Sequence, residues 1–457
     1  MKKKTSFGGA KASYVALCAA LLNALPLPSG KAQTLGADRP QVTGAVTLAQ
    51  AIQAGLRENL MLRATQADVK AAAAQTRIAR SQTYPQISAN TYFAFGDSSN
   101  ILFSAGTVSP VNYFNVPAEG FADQNVTLSV PIYTGGRLQN QVRAASERER
   151  AAASDLSGTQ AETALRIKDA YYRALLGAEN VKAAQARLDA AAEMVKTTQT
   201  LFAAGKGLES AARRVEAEQA DAQRVLTTAR NTQAKAFLDL KAAMGVRLDS
   251  DLLLADALTF APPIGNLTAQ LADAAKLRPE LRAIRFRRSA AARQTDAVHG
   301  AQGAQIYGMA MADGFTSHPQ GTREGYTVGV VISLPLFDGG QRKAESAQAR
   351  AQQERAEAEV RDLELRVAVE VQQAWLDVET AAENYKTAQS ALVSAKAAYD
   401  VTALRVQNQK GLLVEQLDSL ASLTQARSNV AQALYDHSLS VARLNRAVGK
   451  LQEGAEK

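Results

Sequence analysis

Hydrophobic positions along this chain follow two rhythms, period two over short stretches and period seven over very long ones. Over 86–95, Ile87, Ala89, Thr91, Phe93 and Phe95 fall on one side, and Val126, Leu128 and Val130 do the same over 125–131. A second pair of segments, about 305–312 and 326–333, sets Tyr326, Val328, Val330 and Ile332 opposite Thr327, Gly329, Val331 and Ser333. Alternation of this kind predicts four strands in a sheet with one apolar face, and fits a soluble hairpin as well as a membrane sheet. The connecting stretches 96–124 and 313–325 are rich in Gly, Ser, Asn and Pro and read as loops.

The slower rhythm belongs to helices. Val378, Tyr385, Leu392, Tyr399 and Val406 recur every seven residues with Ala381, Ala388 and Ala395 as a small row between them. Residues 174–202 carry a matching series in Ala174, Val181, Leu188, Val195 and Phe202, with Gly177, Ala184 and Ala191 interleaved. Sevenfold spacing predicts coiled-coil packing, and the small row allows neighbouring helices to approach closely. The pattern runs unbroken over about 137–203 and 340–408. At 1.5 Å per residue each such helix is about 100 Å long. Return helices follow over about 208–245 and 412–449, and a helix near 48–81 or 267–302 precedes each strand pair.

The two halves are also related to each other. Val130-Pro131-Ile132-Tyr133-Thr134-Gly135-Gly136-Arg137 resembles Leu334-Pro335-Leu336-Phe337-Asp338-Gly339-Gly340-Gln341, an offset of 204. The same offset carries Ala178-Glu179-Asn180 onto Ala382-Glu383-Asn384, Gly207-Leu208 onto Gly411-Leu412, and Gly245 onto Gly449. Glycines at helix ends in constant register point to a duplicated helix-strand-helix unit, with repeats over 33–265 and 266–457.

Composition narrows the function. Residues 1–32 have a basic start, an apolar stretch from about Ala12 to Leu27, and Gly30-Lys31-Ala32 as a small-x-small cleavage site, the layout of a secretory signal peptide. The single cysteine, Cys18, lies within it, so the mature chain is expected to have neither disulfide nor acyl anchor. Five lysines of that segment account for most of the +8 net charge, leaving +3, too mild to argue for nucleic acid. No later apolar run is long enough for a membrane helix, so membrane entry requires a closed β-barrel. His299, His318 and His437 are dispersed, and no nucleophile elbow, phosphate loop or metal cluster is evident. No enzyme, cofactor or metal site is therefore expected.

Four short strands do not close a barrel, which needs about eight or more. An open sheet would leave its edges unpaired in lipid, so several chains must share one barrel, with the long helices forming a tube beneath it. A periplasmic structural coiled coil is the alternative from the helices alone. The opening Val46-Thr47-Leu48-Ala49-Gln50-Ala51-Ile52, the Tyr84-Pro85-Gln86-Ile87-Ser88 segment, the two Pro-x-aromatic-x-Gly-Gly turns and the paired Gly-Leu tips together resemble the TolC-type outer-membrane efflux protein family. The resemblance covers nearly the whole mature chain. It implies an α+β membrane protein, a homotrimer with a 12-stranded β-barrel in the outer membrane continued by a long α-helical barrel in the periplasm. It also implies a passive exit channel of a tripartite efflux or type I secretion system, partnered by a periplasmic adaptor protein and an inner-membrane transporter.

Carried onto this chain, the family's periplasmic tips fall at 204–211 and 409–418. Gly207, Leu208, Gly411 and Leu412 are the candidate adaptor-docking residues, although the glycines also suit the turn alone. Glu415 and Asp418 are the candidate periplasmic gate. Threefold repetition would crowd their charges near the axis, while acids at a helix start are equally at home beside its positive dipole end. The spacing from Gly411 to this pair is shorter than the family's. Tyr92, Phe93, Phe95, Tyr307 and Tyr326 are candidates for an aromatic membrane girdle, with core packing as the competing role. The cargo is not legible in the sequence.

Overall fold

A computed structural model describes residues 40–41, 44–95, 120–262, 265–318, 321–408 and 410–450. The secretory-signal reading and most of the loop read at 96–124 lie outside them, as does Gln409 of the second tip. The chain order is β1 (Gly44–Val46), α1 (Leu48–Glu58), α2 (Leu60–Ser81), β2 (Gln86–Phe95), β3 (Gly120–Tyr133), α3 (Arg137–Ala203) and α4 (Glu209–Met244). It continues with β4 (Leu252–Leu254), α5 (Leu267–Leu277), α6 (Pro279–Ala301), β5 (Gln305–His318), β6 (Gly321–Ser333), α7 (Gln341–Gln407) and α8 (Leu413–Val448).

Where helices were expected at 48–81 and 267–302, each is broken in two. Asn59 ends α1 in extended backbone, and its side chain accepts from the N–H groups of Met61 and Leu62 to start α2. Arg278 takes the same place before Pro279, whose ring suits the first turn of a new helix. The strands also run further than alternation indicated. β5 and β6 pair from Gln305↔Ser333 out to Ser317↔Gly321, through the stretch read as a loop. Ladder hydrogen bonds, rather than side-chain hydrophobicity, hold that outer part.

β2, β3, β5 and β6 form one antiparallel sheet in that order. Tyr133 skips a register step at Pro131, where proline cannot supply a ladder N–H. The Gly-Gly turns then redirect each chain into its long helix. Gly135 and Gly136 have φ of +58° and +83°, and Gly339 and Gly340 have +63° and +92°. Two successive left-handed residues are tolerable only without Cβ atoms.

Each 67-residue helix packs along its own return helix, α3 on α4 and α7 on α8. Val378 and Ala381 are buried on α7, and the heptad positions towards the tip stay half-buried. Midway down, Ile167, Tyr171, Leu240 and Met244 join α1 and the short parallel pair β1–β4 in one core. Leu281, Val371, Val378, Leu444 and Val448 form the second half's counterpart. Near the tips Met194 and Val215 meet Leu417 and Leu420, so the two coils join there as well.

Upstream of the Gly-Gly turns the halves correspond at an offset of 219, which the sequence reading missed. Leu48, Leu60 and Gln86 open α1, α2 and β2, and Leu267, Pro279 and Gln305 open α5, α6 and β5. Leu62 and Leu281 are both 1% exposed. Gln86 Nε2 donates to the Ser81 and Tyr84 carbonyls, and Gln305 Nε2 to those of Gly300 and Gly303.

Candidate functional site

Strand register sorts the sheet into two chemically different faces. Ile87, Val126, Leu128, Val130, Gly308, Ala310, Ala312, Val328, Val330 and Ile332 share one row set, with no charged residue among them. Tyr326, Val328 and Ile332 on it are 84%, 75% and 67% exposed. The other face carries Asn90, Asn125, Thr127, Ser129, Thr327 and Ser333, with Met309 and Met311 buried on it. Asn90 Nδ2 donates to Asn125 Oδ1 across the strands at 3.1 Å. An exposed apolar face backed by a polar one is the chemistry of a barrel wall between lipid and an aqueous lumen.

This register divides the residues expected in an aromatic girdle. Positions 93, 95 and 326 belong to the apolar rows, whereas 92 and 307 belong to the polar ones, because successive strand residues alternate faces. Tyr307 therefore leaves the girdle. Its hydroxyl accepts a 2.8 Å hydrogen bond from Arg137 at the start of α3, a bond that fastens the sheet to the helical layer. The side chains of Tyr92, Phe93 and Phe95 lie outside the described set.

At the opposite end, α3 and α7 close on their return helices by the same device. Lys206 N–H donates to the Leu201 carbonyl at 2.9 Å, and Lys410 N–H to that of Arg405 at 2.8 Å. Gly207 and Gly411 are required by this turn, since a Cβ would lie 3.0 Å from Phe202 N in one case and 2.9 Å from Arg405 Cβ in the other. Leu208 and Leu412 differ from them. They stand 72% and 66% exposed at the outermost point of each hairpin, where no packing explains an apolar side chain.

Glu415 and Asp418 occupy one exposed flank of the first turns of α8, while Gln416 and Leu417 between them are buried. Glu415 makes an ion pair with Arg405 on α7 at 3.4 Å. Both partners are about half exposed, so the pair is weak and leaves the carboxylate accessible to ions. The first tip has no equivalent acidic pair; Glu209 and Glu216 there are shared by Arg213.

Three cross-links between helices escaped the sequence reading. Arg187, 14% exposed, binds Glu218 and Asp221 on α4. On α8, Tyr435 donates to Asp169 of α3 at 2.7 Å and accepts from Arg173, and burial raises its phenol pKa. Arg278 and Arg446 share Glu280 and Glu370, and Arg446 also reaches Glu162. Apart from Arg278–Glu280, two residues apart, none has a short-range signal, because the partners stand 31 to 266 residues apart. Among the described residues no three His, Cys, Asp or Glu side chains are grouped to hold a metal ion.

Known proteins share this architecture and parts of the sequence. The chain is 24% identical over 451 residues to the outer membrane efflux protein BepC of Brucella suis, covering 95% of this chain and 91% of that one. It is 24% identical over 321 residues to the outer membrane protein TolC of Vibrio cholerae, covering 68% and 72%. The outer-membrane channel OprN superposes with a TM-score of 0.74 at 20% identity over 93% of this chain and 98% of its own. The profile of the family described as "Outer membrane efflux protein" matches twice, over residues 51–246 and 271–450. Matched over most of its length and carrying the two-faced sheet and long paired helices described above, the chain belongs to the outer membrane efflux protein family and is an outer-membrane export channel.

Proposed function

We propose that three copies of this chain close into one duct, a 12-stranded barrel continued by a helical tunnel, and that it is the passive exit of a tripartite efflux or type I secretion system. The observation that carries the reading is that both layers of the protomer stop at the same two sides. The sheet ends on β2 and β6, and the helical layer, in which α2 packs on α3, α3 on α6 and α6 on α7, ends on α2 and α7. Each open strand continues into an open helix. The protomer also contains the contact it lacks: β3 against β5 and α3 against α6 are, by the 204 and 219 offsets, the templates for β6 against a neighbour's β2 and α7 against its α2. The template surface is close-fitting. Gly135 meets Gly300 so tightly that a Cβ on either would strike the other's carbonyl, and Asp155 accepts from Arg287 at 2.5 Å. Such a head-to-tail interface generates a ring when its rotation closes. Two chains would supply only eight strands, too few for a channel of useful bore; the family resemblance sets the number at three.

Leu208 and Leu412 at the tips are the proposed contacts for a periplasmic adaptor, and Glu415 and Asp418 the proposed gate. On this reading energy comes from an inner-membrane transporter, as the family resemblance implies. Arg148 meets Gln294 across the template contact, which assigns Gln352 and Gln75 to the interprotomer one. Oxidising the Gln75→Cys/Gln352→Cys double variant in outer membranes should give covalent trimers in a gel and open channels in planar bilayers. A product made only of internally bridged monomers would overturn the closure.

A further inference from the structure

Midway along the helices, a cavity of about 660 Å³ opens between α1, α3, α8 and the strap after β4. Its lining is chiefly apolar and aromatic, including Ile52, Tyr172, Leu258 and Val441. Three polar side chains, His437, Lys168 and Ser438, are among the lining residues. His437 is 1% exposed, and neither ring nitrogen has a hydrogen-bond partner. One face of its imidazole is covered by Phe260, whose ring lies 4.5 Å away and also stacks on Tyr385 at 4.7 Å. Lys168 is half-buried, forms no ion pair or hydrogen bond among the described residues, and has its pKa lowered by burial. Ser438 adds a hydroxyl. The cavity's one carboxylate is already engaged: Asp256 Oδ2 accepts from Leu48 N–H at 2.7 Å and lies 2.9 Å from the Tyr171 hydroxyl.

A buried neutral imidazole with an unused N–H, beside an unpaired ammonium, is costly unless something accepts from both. A mostly apolar hollow of this size with a few convergent donors is how proteins hold a small molecule. From these we infer that the cavity is a binding site for a monoanionic amphiphile, a carboxylate on an apolar body, with the carboxylate between Lys168 and His437 and the body against Tyr172 and Leu258. All the lining residues belong to one chain, so the site stands whether or not the protomers close as proposed above. It also lies far from the tips and from the sheet, apart from the export path's two ends.

The test is calorimetric titration of the full-length protein in zwitterionic-lipid nanodiscs with 4-phenylbutyrate and, separately, its uncharged analogue 4-phenylbutan-1-ol. The acid should bind saturably at one site per protomer, and the alcohol at least tenfold more weakly. Lys168→Met should reduce affinity for the acid tenfold or more and leave that for the alcohol unchanged, a split that loss of folding would not produce. Leu258→Trp, which fills the cavity from the strap, should abolish both. Equal affinities for acid and alcohol, an unaltered acid affinity in Lys168→Met, or no saturable binding to the wild-type protein would each overturn the assignment.

Discussion

Replacing Arg278 by Met removes a buried cation at the junction of α6, α7 and α8. Arg278 is 4% exposed, with Glu370 Oε2 at 2.5 Å, Glu280 Oε2 at 3.3 Å and the carbonyl of Ala447 at 3.1 Å. Removing one partner of a fully buried ion pair costs about 3–5 kcal/mol. Here the carboxylates keep 42% and 33% of their side-chain surface and can rehydrate, and Arg446 still reaches both at 2.6 and 3.1 Å. That brings the electrostatic loss to about 1–2 kcal/mol, and the carbonyl at the end of α8 adds about 1 kcal/mol. The expected total is therefore about 2–3 kcal/mol. Glu370→Gln should cost at least as much, because it leaves the buried Arg278 cation with the longer Glu280 contact as its one carboxylate partner, beside the Ala447 carbonyl. Guanidinium denaturation of the detergent-solubilised protein, followed by helical circular dichroism, gives the three terms of the cycle. The Arg278→Met/Glu370→Gln double variant should be more stable than the sum of the singles by about 1–2 kcal/mol. Exposed Lys386–Glu383, at 66% and 72% exposure, is the control, and Lys386→Ala should move stability by less than about 0.5 kcal/mol. Additivity of the two junction variants, or an Arg278→Met protein as stable as the wild type, would refute the reasoning.

Other outcomes follow from the tips and the seam. Substituting Leu208 and Leu412 together by Asp should leave trimer yield and thermal midpoint unchanged and reduce cross-linking to a periplasmic adaptor at least tenfold; undiminished adducts would move the docking surface elsewhere. Glu415→Ala/Asp418→Ala should weaken cation preference in planar bilayers and raise conductance, and unchanged currents would remove these residues from the gate. Gly411→Val should be worse tolerated than Leu412→Val, by about 1–3 kcal/mol, because only the former forces a side chain into the Arg405–Val406 backbone; equal effects in the same denaturation assay would contradict that account of the turn. Burial lowers the His437 pKa, with Lys168 and Asp256 the charged groups on the same cavity. The unfolded chain then binds more protons than the native one as pH drops through about 6.5, so stability should fall from that pH down to the lowered native pKa and level off below it. In His437→Phe that portion of the pH dependence should vanish; a curve identical to the wild type's would show that another group titrates.

The parts of this molecule that the sequence made legible are those encoded locally. Heptad positions such as Val378, Tyr385 and Leu392 read as a seam because a helix repeats its faces regardless of what lies beyond, and they are sheltered, Val378 buried and Tyr385 and Leu392 half-buried. Gly135-Gly136 and Gly339-Gly340 read as turns because successive left-handed residues admit almost nothing else. The strand ends around Asp313 and Gly325 were illegible for the opposite reason, since pairing decides them and pairing is a property of two segments. The same holds for Arg278, whose partner Glu370 is 92 residues away, and for the Tyr435–Asp169 link. The site residues show the division within single motifs: Gly411 answers to its own hairpin, while Leu412 beside it answers to nothing within the chain.

That contrast extends to the whole protomer. Leu62 on α2 and Leu281 on α6 are equivalent and equally buried, yet α6 is covered on both flanks, by α3 and α7, whereas α2 is covered only by α3. Gly135 is pressed against Gly300, while its counterpart Gly339 has nothing within 4 Å, although both keep the same positive φ. Under the proposed closure, a duplicated chain that packs one copy of a surface and leaves the other open carries the description of its own interface. Neither the sequence nor the fold alone displays it: the 204 and 219 offsets say which residues are equivalent, and the fold says which member of each pair still lacks a neighbour. Together they make ring closure a statement about named residues, with Gln352 and Gln75 as the pair that decides it.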